Sequence, residues 1–531
     1  MSERPSVLLI VLDALRADCA PDAGDSPHLR SLGLRRPHMP ALAALVQGAV
    51  HFRQAMACSA YTTAAVGSIF TGLLPPEHGV RAFDLTSLSR QVRTLAEILA
   101  DAGYATCAMT DQPPVLQPMG LLRGFQTVLP SEDEALAWWD SYEEMPRFLF
   151  LHLWDGHKPY GMPFGRAYRT TYPQIINEWR ERLHGRGIPE PASDEFLDAD
   201  EERRQVYLMQ LAWEDRFGFK AGLETYLSGL ETFDRGRLHA LVAALQARRI
   251  PAENIAVVLS DHGEGRDFPP SWRMTHGMSL ADDVMRVPLY MHIPGITRGQ
   301  SIRQQVSQAD VTPTILDALG LLAERTPPRS AYNGRSLLPL LRGESLPSIP
   351  AYAEVSALNN DPSKPVAQSG GTRAATLRFR VLRHPKRKYH LAGRLFELDE
   401  AALSVSSEDF VRLVCRNLLG RIERTDDLAA WLPVLEDASL PVETRRQAVV
   451  KAVESSDEYR FLTKYAIFDL HRDPLEEKPI DPRQSAVDWA DYCQQVAIME
   501  EIDRNARPGE PLLTNEADEV MILKRLRNLG Y

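Results

Sequence analysis

The chain reads as an α/β protein, a mixed but mostly parallel sheet sandwiched by helices, with a smaller C-terminal α+β portion. Three observations lead there. Short apolar runs at Val7–Leu12, 147–154 and Ile255–Leu259 are rich in Leu, Val, Ile or Phe and lack polar alternation. Strands of that kind are buried on both faces, as in a parallel sheet. Helical stretches separate them, and strand–helix alternation is the pattern of a sheet covered on both sides. From about residue 350 the character changes to a loop-like stretch, a basic strand-like run and then helices rich in Leu, Ala and Glu.

The elements follow in order. The first strand ends at Asp13. A helix is expected over 40–48 (PALAALVQG), since Pro suits a first helical turn. Another begins at Thr62 and is stopped by Gly72 and Pro75-Pro76. The amphipathic stretch 94–102 precedes Gly103, a natural helix terminator. The strand at 147–154 (RFLFLHLW) leads to Asp155, and a helix over 223–249 leads into Ile255–Leu259 and Asp261. Residues 163–220 are polar and Arg-rich, and read as a helical insertion. The resulting division is a catalytic domain over 1–355 and a C-terminal α+β subdomain over 356–531, with a helical insertion at about 400–460.

Bulk composition is that of a globular protein, with 44% hydrophobic and 25% charged residues among 531. Lys plus Arg number 60 against 71 Asp plus Glu, a net charge of -11. A dedicated nucleic-acid binder shows a basic excess, so that class is excluded. An anionic substrate is not, because a bound cation can dominate the local field. The five cysteines (Cys19, Cys58, Cys107, Cys415 and Cys493) are widely spaced and form no CxxC pair. That points to a reducing compartment. The run Val7–Leu12 is too short for a membrane span or a signal-peptide core. A cytoplasmic location with no membrane association is the expectation.

Three strands end in acidic or His residues: Asp13, then Asp155 with His157, then Asp261 with His262. In open α/β sheets the ligand sits beyond the carboxyl ends of the strands. Acids distant in sequence are therefore expected to converge. Two carboxylates and an imidazole make a mixed hard site for Mn²⁺, Mg²⁺ or Ca²⁺, with Zn²⁺ as a further option.

Eight motifs occur in a particular order: VLLIVLDALRAD, YTTAAVGSIFTGLLPPEHGV, LHLWDGHKPY, ENIAVVLSDHGE, HGMSLADDVMRVPLYMHIPG, VSQADVTPTILDALG, NGRSLLPLLRG and IFDLHRDPLEEKP. Together they resemble the sulfatase branch of the alkaline phosphatase superfamily, over residues 5–355 and again at 466–475. The resemblance implies an alkaline-phosphatase-like fold and a metal-dependent ester hydrolase or transferase. It implies Asp13, Asp261 and His262 as metal ligands, joined by the nucleophile. Sulfatases carry C-x-P-S-R, whose Cys becomes formylglycine and lies ten residues before the Gly of a TG pair. Here that pair is Thr71-Gly72, and counting back gives Thr62. Lipoteichoic-acid synthases and phosphoethanolamine transferases, which are similar, carry Thr at this place. Thr62 is thus expected to be both nucleophile and metal ligand, at a helix N-terminus that favours an alkoxide and an anionic substrate. Cys58 lies four residues early without the motif Pro or Arg, so no formylglycine is expected and a buried thiol is the plainer reading.

By the same resemblance His157 and His276 contact the transferred group or protonate the leaving oxygen, a task suited to His. Lys158 either neutralises substrate charge or is solvated, and His51 and His78 read as structural. Two positions depart from the family pattern. Its second Asp is Ala14, and the motif Arg is Val66, which predicts a pocket less polar than usual. The function expected is hydrolysis or transfer of phosphate- or sulfate-type esters on a small-molecule or glycan substrate. Phosphorus is favoured, because an esterified Thr cannot release its group by hemiacetal collapse. A true sulfuric ester hydrolase, a phosphonate monoester hydrolase and a catalytically silent binding protein are the alternatives.

Overall fold

A computed structural model describes residues 4–511 except 25, 82–85, 165, 192–200, 267–272, 277–278, 298, 358–376, 393–397, 399, 416–417, 419–422, 424 and 457–464. The loop-like stretch at 359–372 and Gly277 lie outside the described residues. Nine strands form the main sheet. Val7–Leu12 lies at its centre, parallel to Arg147–Leu153 on one side and to Ile255–Leu259 on the other. Ala105–Thr110 and Thr127–Leu129 extend the parallel half. On the other flank Leu289–His292 is antiparallel to Ile255–Leu259 and to Val50–Met56, so the sheet is mixed.

Successive side chains of a strand point to opposite faces, and the central strand divides the hydrophobic core accordingly. Val7, Leu9 and Val11 join one apolar layer with the Thr62–Thr71 helix and Leu95–Asp101. Leu8, Ile10 and Leu12 join the other, with Phe219–Phe233 and His239–Ala247. The absence of polar alternation in VLLIVL is explained, since both faces of this strand are covered.

Local signals act where they were read. Thr94 and Glu97 form a reciprocal capping box at the start of Leu95–Asp101. Gly72 ends the Thr62–Thr71 helix at φ 70, a left-handed conformation that glycine takes without steric cost. Two helices differ from expectation. The one expected over 40–48 is the shorter Pro40–Leu45. The one over 223–249 is interrupted by a π-turn at Asp234–Leu238, where Asp234 accepts hydrogen bonds from the amides of Ala41 and Leu42. That tertiary demand is invisible to helical periodicity. The insertion contributes two described helices, Tyr172–His184 and Glu201–Phe217.

Beyond the main sheet, Ala351–Ala357, Leu377–Arg383, Arg387–Ala392 and Tyr465–Asp469 form an antiparallel four-stranded sheet. The expected boundary at 355/356 falls inside the first of these strands. The long helix Ala486–Arg504 packs on this sheet. Helices within 400–454 share a separate small core. Among the described residues no helix is long and apolar enough to cross a membrane.

Candidate active site

Asp13 and Asp261 leave the carboxyl ends of neighbouring parallel strands, so the topology alone brings them together. Asp13 N donates to Leu153 O. Ala14 then turns left-handed, at φ 55, which aims its amide at Asp261 Oδ1, 3.1 Å away. The same oxygen accepts from His262 N at 2.8 Å. Gly156 completes the tight packing, since a Cβ there would lie 2.1 Å from Asp13 O.

Thr62 is the first residue of its helix and is 2% exposed. Its Oγ1 donates to Asp13 Oδ2 at 3.1 Å and lies 3.2 Å from His262 Nε2. His262 Nδ1 faces the carbonyl of Gly263 at 2.9 Å. A carbonyl only accepts, so the proton sits on Nδ1 and Nε2 presents a lone pair. Two acceptors thus face one hydroxyl that has a single proton to give.

The charge balance is equally uneven. Asp13 Oδ1, Asp261 Oδ2 and His152 Nε2 are buried with no hydrogen-bond partner among the described residues. One ligand atom each from Asp13, His152 and Asp261 lie within 4.8 Å of one another. Burial, and then the charge of Asp261, push the Asp13 carboxyl well above the usual carboxylate range. Burial also acts to raise Asp261, but hydrogen bonds from the Ala14 and His262 amides help to hold it low. Buried charges are paired or coordinate metals. Two buried carboxylates, a lone-pair imidazole and a hydroxyl short of protons fit a divalent cation.

The substrate-side histidines adjoin this group. The His276 ring lies 4.3 Å from that of His262 and 5.2 Å from that of His157, centroid to centroid. Glu264 holds His276 through Nδ1, at 3.1 Å, and the carbonyl of Lys158 holds Nδ1 of His157, at 2.7 Å. Burial, reinforced by His276, depresses His157 to about 3. Burial and then His262 depress His276 well below the ordinary imidazole value.

The structure therefore gathers Asp13, Thr62, Asp261 and His262 at one point, with His157 and His276 beside it. Two other residues are placed differently from expectation. The Asp155 carboxylate turns to Arg237, 2.6 Å away, which also binds Asp111. Lys158 is not solvated, because its ammonium is buried against Glu214 at 2.8 Å and Met274 O at 2.8 Å. Val66 belongs to the apolar core. Cys58 is buried ahead of the helix, its Sγ 3.3 Å from Ser307 Oγ. His51 pairs with Asp22, and His78 is enclosed by Ser68 and the carbonyl of Ala64.

Sequence reasoning missed His152, Glu264 and Glu214. His152 carried a signal, being the one polar residue in the apolar run FLFLHL that follows Arg147. Glu214 carried none, since it is one acid among many on a polar helix.

The family model described as Sulfatase matches residues 5–115 and 131–321, more than half of the chain. Arylsulfatase K of Danio rerio is 31% identical over 121 residues, 22% of either chain. The human arylsulfatase K is 34% identical over 103 residues, 19% of this chain and 18% of the relative. The match thus spans only about a fifth of these relatives' length. Among solved structures, a protein in complex with its substrate D-glucosamine-2-N,6-O-disulfate superposes with a TM-score of 0.58 at 14% identity, covering 95% of this chain and 99% of the other. The phosphonate monoester hydrolase of Agrobacterium radiobacter gives 0.54 at 18% identity, covering 94% and 96%. At such identities the likeness is one of fold.

Proposed function

Because the chain belongs to the sulfatase family, we propose that it is a metal-dependent hydrolase or transferase of phosphate-type esters with Thr62 as nucleophile. The observation that carries this is the position of Thr62 Oγ1, 3.1 Å from Asp13 Oδ2 and 3.2 Å from His262 Nε2 at a helix start. Asp13, Asp261, His262 and Thr62 would hold the cation. When bound, such a cation offsets charge on the oxygens of the transferred group and lowers the pKa of a ligated hydroxyl.

The chain's own groups do the rest. Asp13 orients the Thr62 hydroxyl and accepts its hydrogen bond. The N–H groups and dipole of the helix N-terminus favour the anionic group. His157 and His276 present their Nε2 atoms to the leaving oxygen, each oriented through Nδ1. Thr62 Oγ1 gives its proton to Asp13 Oδ2 as its bond to phosphorus forms and the ester bond breaks, and the departing oxygen takes a proton from water. Water or an acceptor hydroxyl then releases the Thr62 ester.

The arylsulfatase relatives favour a second reading, a sulfuric ester hydrolase using formylglycine at Cys58. Weighing against it, Cys58 lies four residues ahead of Thr62 and lacks the motif Pro and Arg. Turnover of chromogenic phosphate monoesters, phosphodiesters, phosphonates and sulfates with added Mn²⁺ tests both. Thr62→Ala is expected to lower turnover at least a thousandfold, on the order of 4 kcal/mol of barrier. Full activity in Thr62→Ala with loss in Cys58→Ala would replace the first reading by the second.

A further inference from the structure

His152 stands where a ligand is missing. The resemblance places a second carboxylate at position 14, and this chain has Ala there. His152 pairs in register with Val11 on the central strand, two residues short of Asp13. Its Nε2 lies 4.0 Å from Asp13 Oδ2, within the group able to hold a cation. By position alone it would replace the lost carboxylate.

Its hydrogen bonds argue otherwise. The indole Nε1 of Trp154 donates to His152 Nδ1 at 3.1 Å. Indole N–H is a donor only, so Nδ1 must offer its lone pair and the neutral ring carries its proton on Nε2. A histidine that ligates through Nε2 has the opposite arrangement, with Nδ1–H directed at an acceptor. His262 meets that requirement through the Gly263 carbonyl. For His152 to meet it, two N–H groups would point at each other. Trp154 is fully buried and packs with Val115 and Phe164, so the indole has no room to turn aside. Thr110 Oγ1, 3.3 Å from Nδ1, is free to donate to the same lone pair.

We propose that His152 serves the site as a fixed Nε2–H donor toward the Asp13 carboxylate and does not ligate the cation. It is a positioning residue, and the inference rests on the metal reading of this site given above. The separation of 4.0 Å is spanned by one bridging water or closed by a turn of the carboxylate. Trp154 selects the tautomer, the tautomer supplies the N–H, and the N–H restrains the oxygen that faces Thr62.

The full chain loaded with Mn²⁺ separates the two roles, because electron spin-echo modulation registers directly ligated histidine nitrogen. The modulation is expected to be the same in wild type, His152→Gln and His152→Leu, and to vanish in His262→Asn. Gln retains a donor near the Nε2 position and Leu does not. Turnover in His152→Leu is therefore expected to fall by about 10–100-fold, as for groups that orient metal ligands, and His152→Gln to recover most of it. Loss of nitrogen modulation in His152→Gln would make His152 a ligand and overturn the inference. So would equal loss of turnover in Gln and Leu variants that both retain the wild-type modulation. Absence of bound Mn²⁺ in the wild type would remove the metal reading and the inference with it. Should either His152 variant fail to fold, Trp154→Phe gives the same decision. Freed of the indole N–H, His152 is expected to ligate and deepen the modulation, and an unchanged trace would refute the lock.

Discussion

Glu214 offers a direct measure of how the insertion supports the site. Its carboxylate meets Lys158 Nζ at 2.8 Å, the two side chains being 1% and 7% exposed, and accepts from Met274 N at 3.1 Å. At that distance the Coulomb attraction is about 6 kcal/mol at an effective dielectric constant of about 20. Burial works against it and pushes the Glu214 carboxyl up despite Lys158. The net worth of the pair is then small, while the cost of breaking it is large. Glu214→Gln keeps the shape and the Met274 contact but leaves a buried ammonium with neutral oxygen acceptors in place of its carboxylate partner, which costs about 3–5 kcal/mol. Replacing both partners by Met should cost far less, within about 1 kcal/mol of wild type. Urea unfolding of wild type, Glu214→Met, Lys158→Met and the double variant gives the coupling energy. The Lys158 carbonyl holds His157, and Met274 lies two residues before His276, so turnover should fall in Glu214→Gln and partly return in the double variant. A loss below about 1 kcal/mol in Glu214→Gln would mean that water reaches the pair and that the insertion does not brace these loops.

Two further outcomes are expected. Arg507 reaches back to Glu77, which is wholly buried, at 2.7 Å. Arg507→Met should lower stability by about 3 kcal/mol in chemical denaturation by leaving that carboxylate without its counter-ion, and a neutral effect would refute the pairing. Ala14→Asp restores a carboxylate at a left-handed position that Asp tolerates. Calcium affinity measured by isothermal titration should rise about tenfold, about 1.4 kcal/mol, whereas unchanged affinity would mean that position 14 does not face the cation.

What was legible in the sequence was whatever local chemistry encodes. The VLLIVL run announced a strand covered on both faces, and the acids following two parallel strands announced a shared site. Thr62 was located by counting from Thr71-Gly72, whose glycine marks the helix end that fixes the count. Less legible was whatever depends on partners far along the chain. Asp155 has the same sequence context as Asp13 and Asp261, yet Arg237 claims it, and nothing near residue 155 foretells an arginine arriving from a π-turn. Lys158 is likewise claimed by a helix of the insertion. His152 was visible as a polar break in an apolar strand, but its role depends on the indole two residues on, a relation of ring nitrogens that a residue pattern does not express.

The helix bearing Thr62 is braced at both ends by late segments. Ahead of it, Cys58 O accepts from Glu354 N, and behind it Gly72 O accepts from Gly334 N. Arg507 N donates to Pro76 O and its side chain closes on Glu77. During synthesis this helix therefore emerges more than two hundred residues before its supports. Contacts so distant in sequence form slowly, and a ribosome-bound chain ending near 320 would hold the helix without these braces, an incompletely packed state of the kind that chaperones recognise. The last of these braces, at Arg507, closes only when translation is nearly finished, so the setting of the Thr62 helix is among the final features of the chain to be completed.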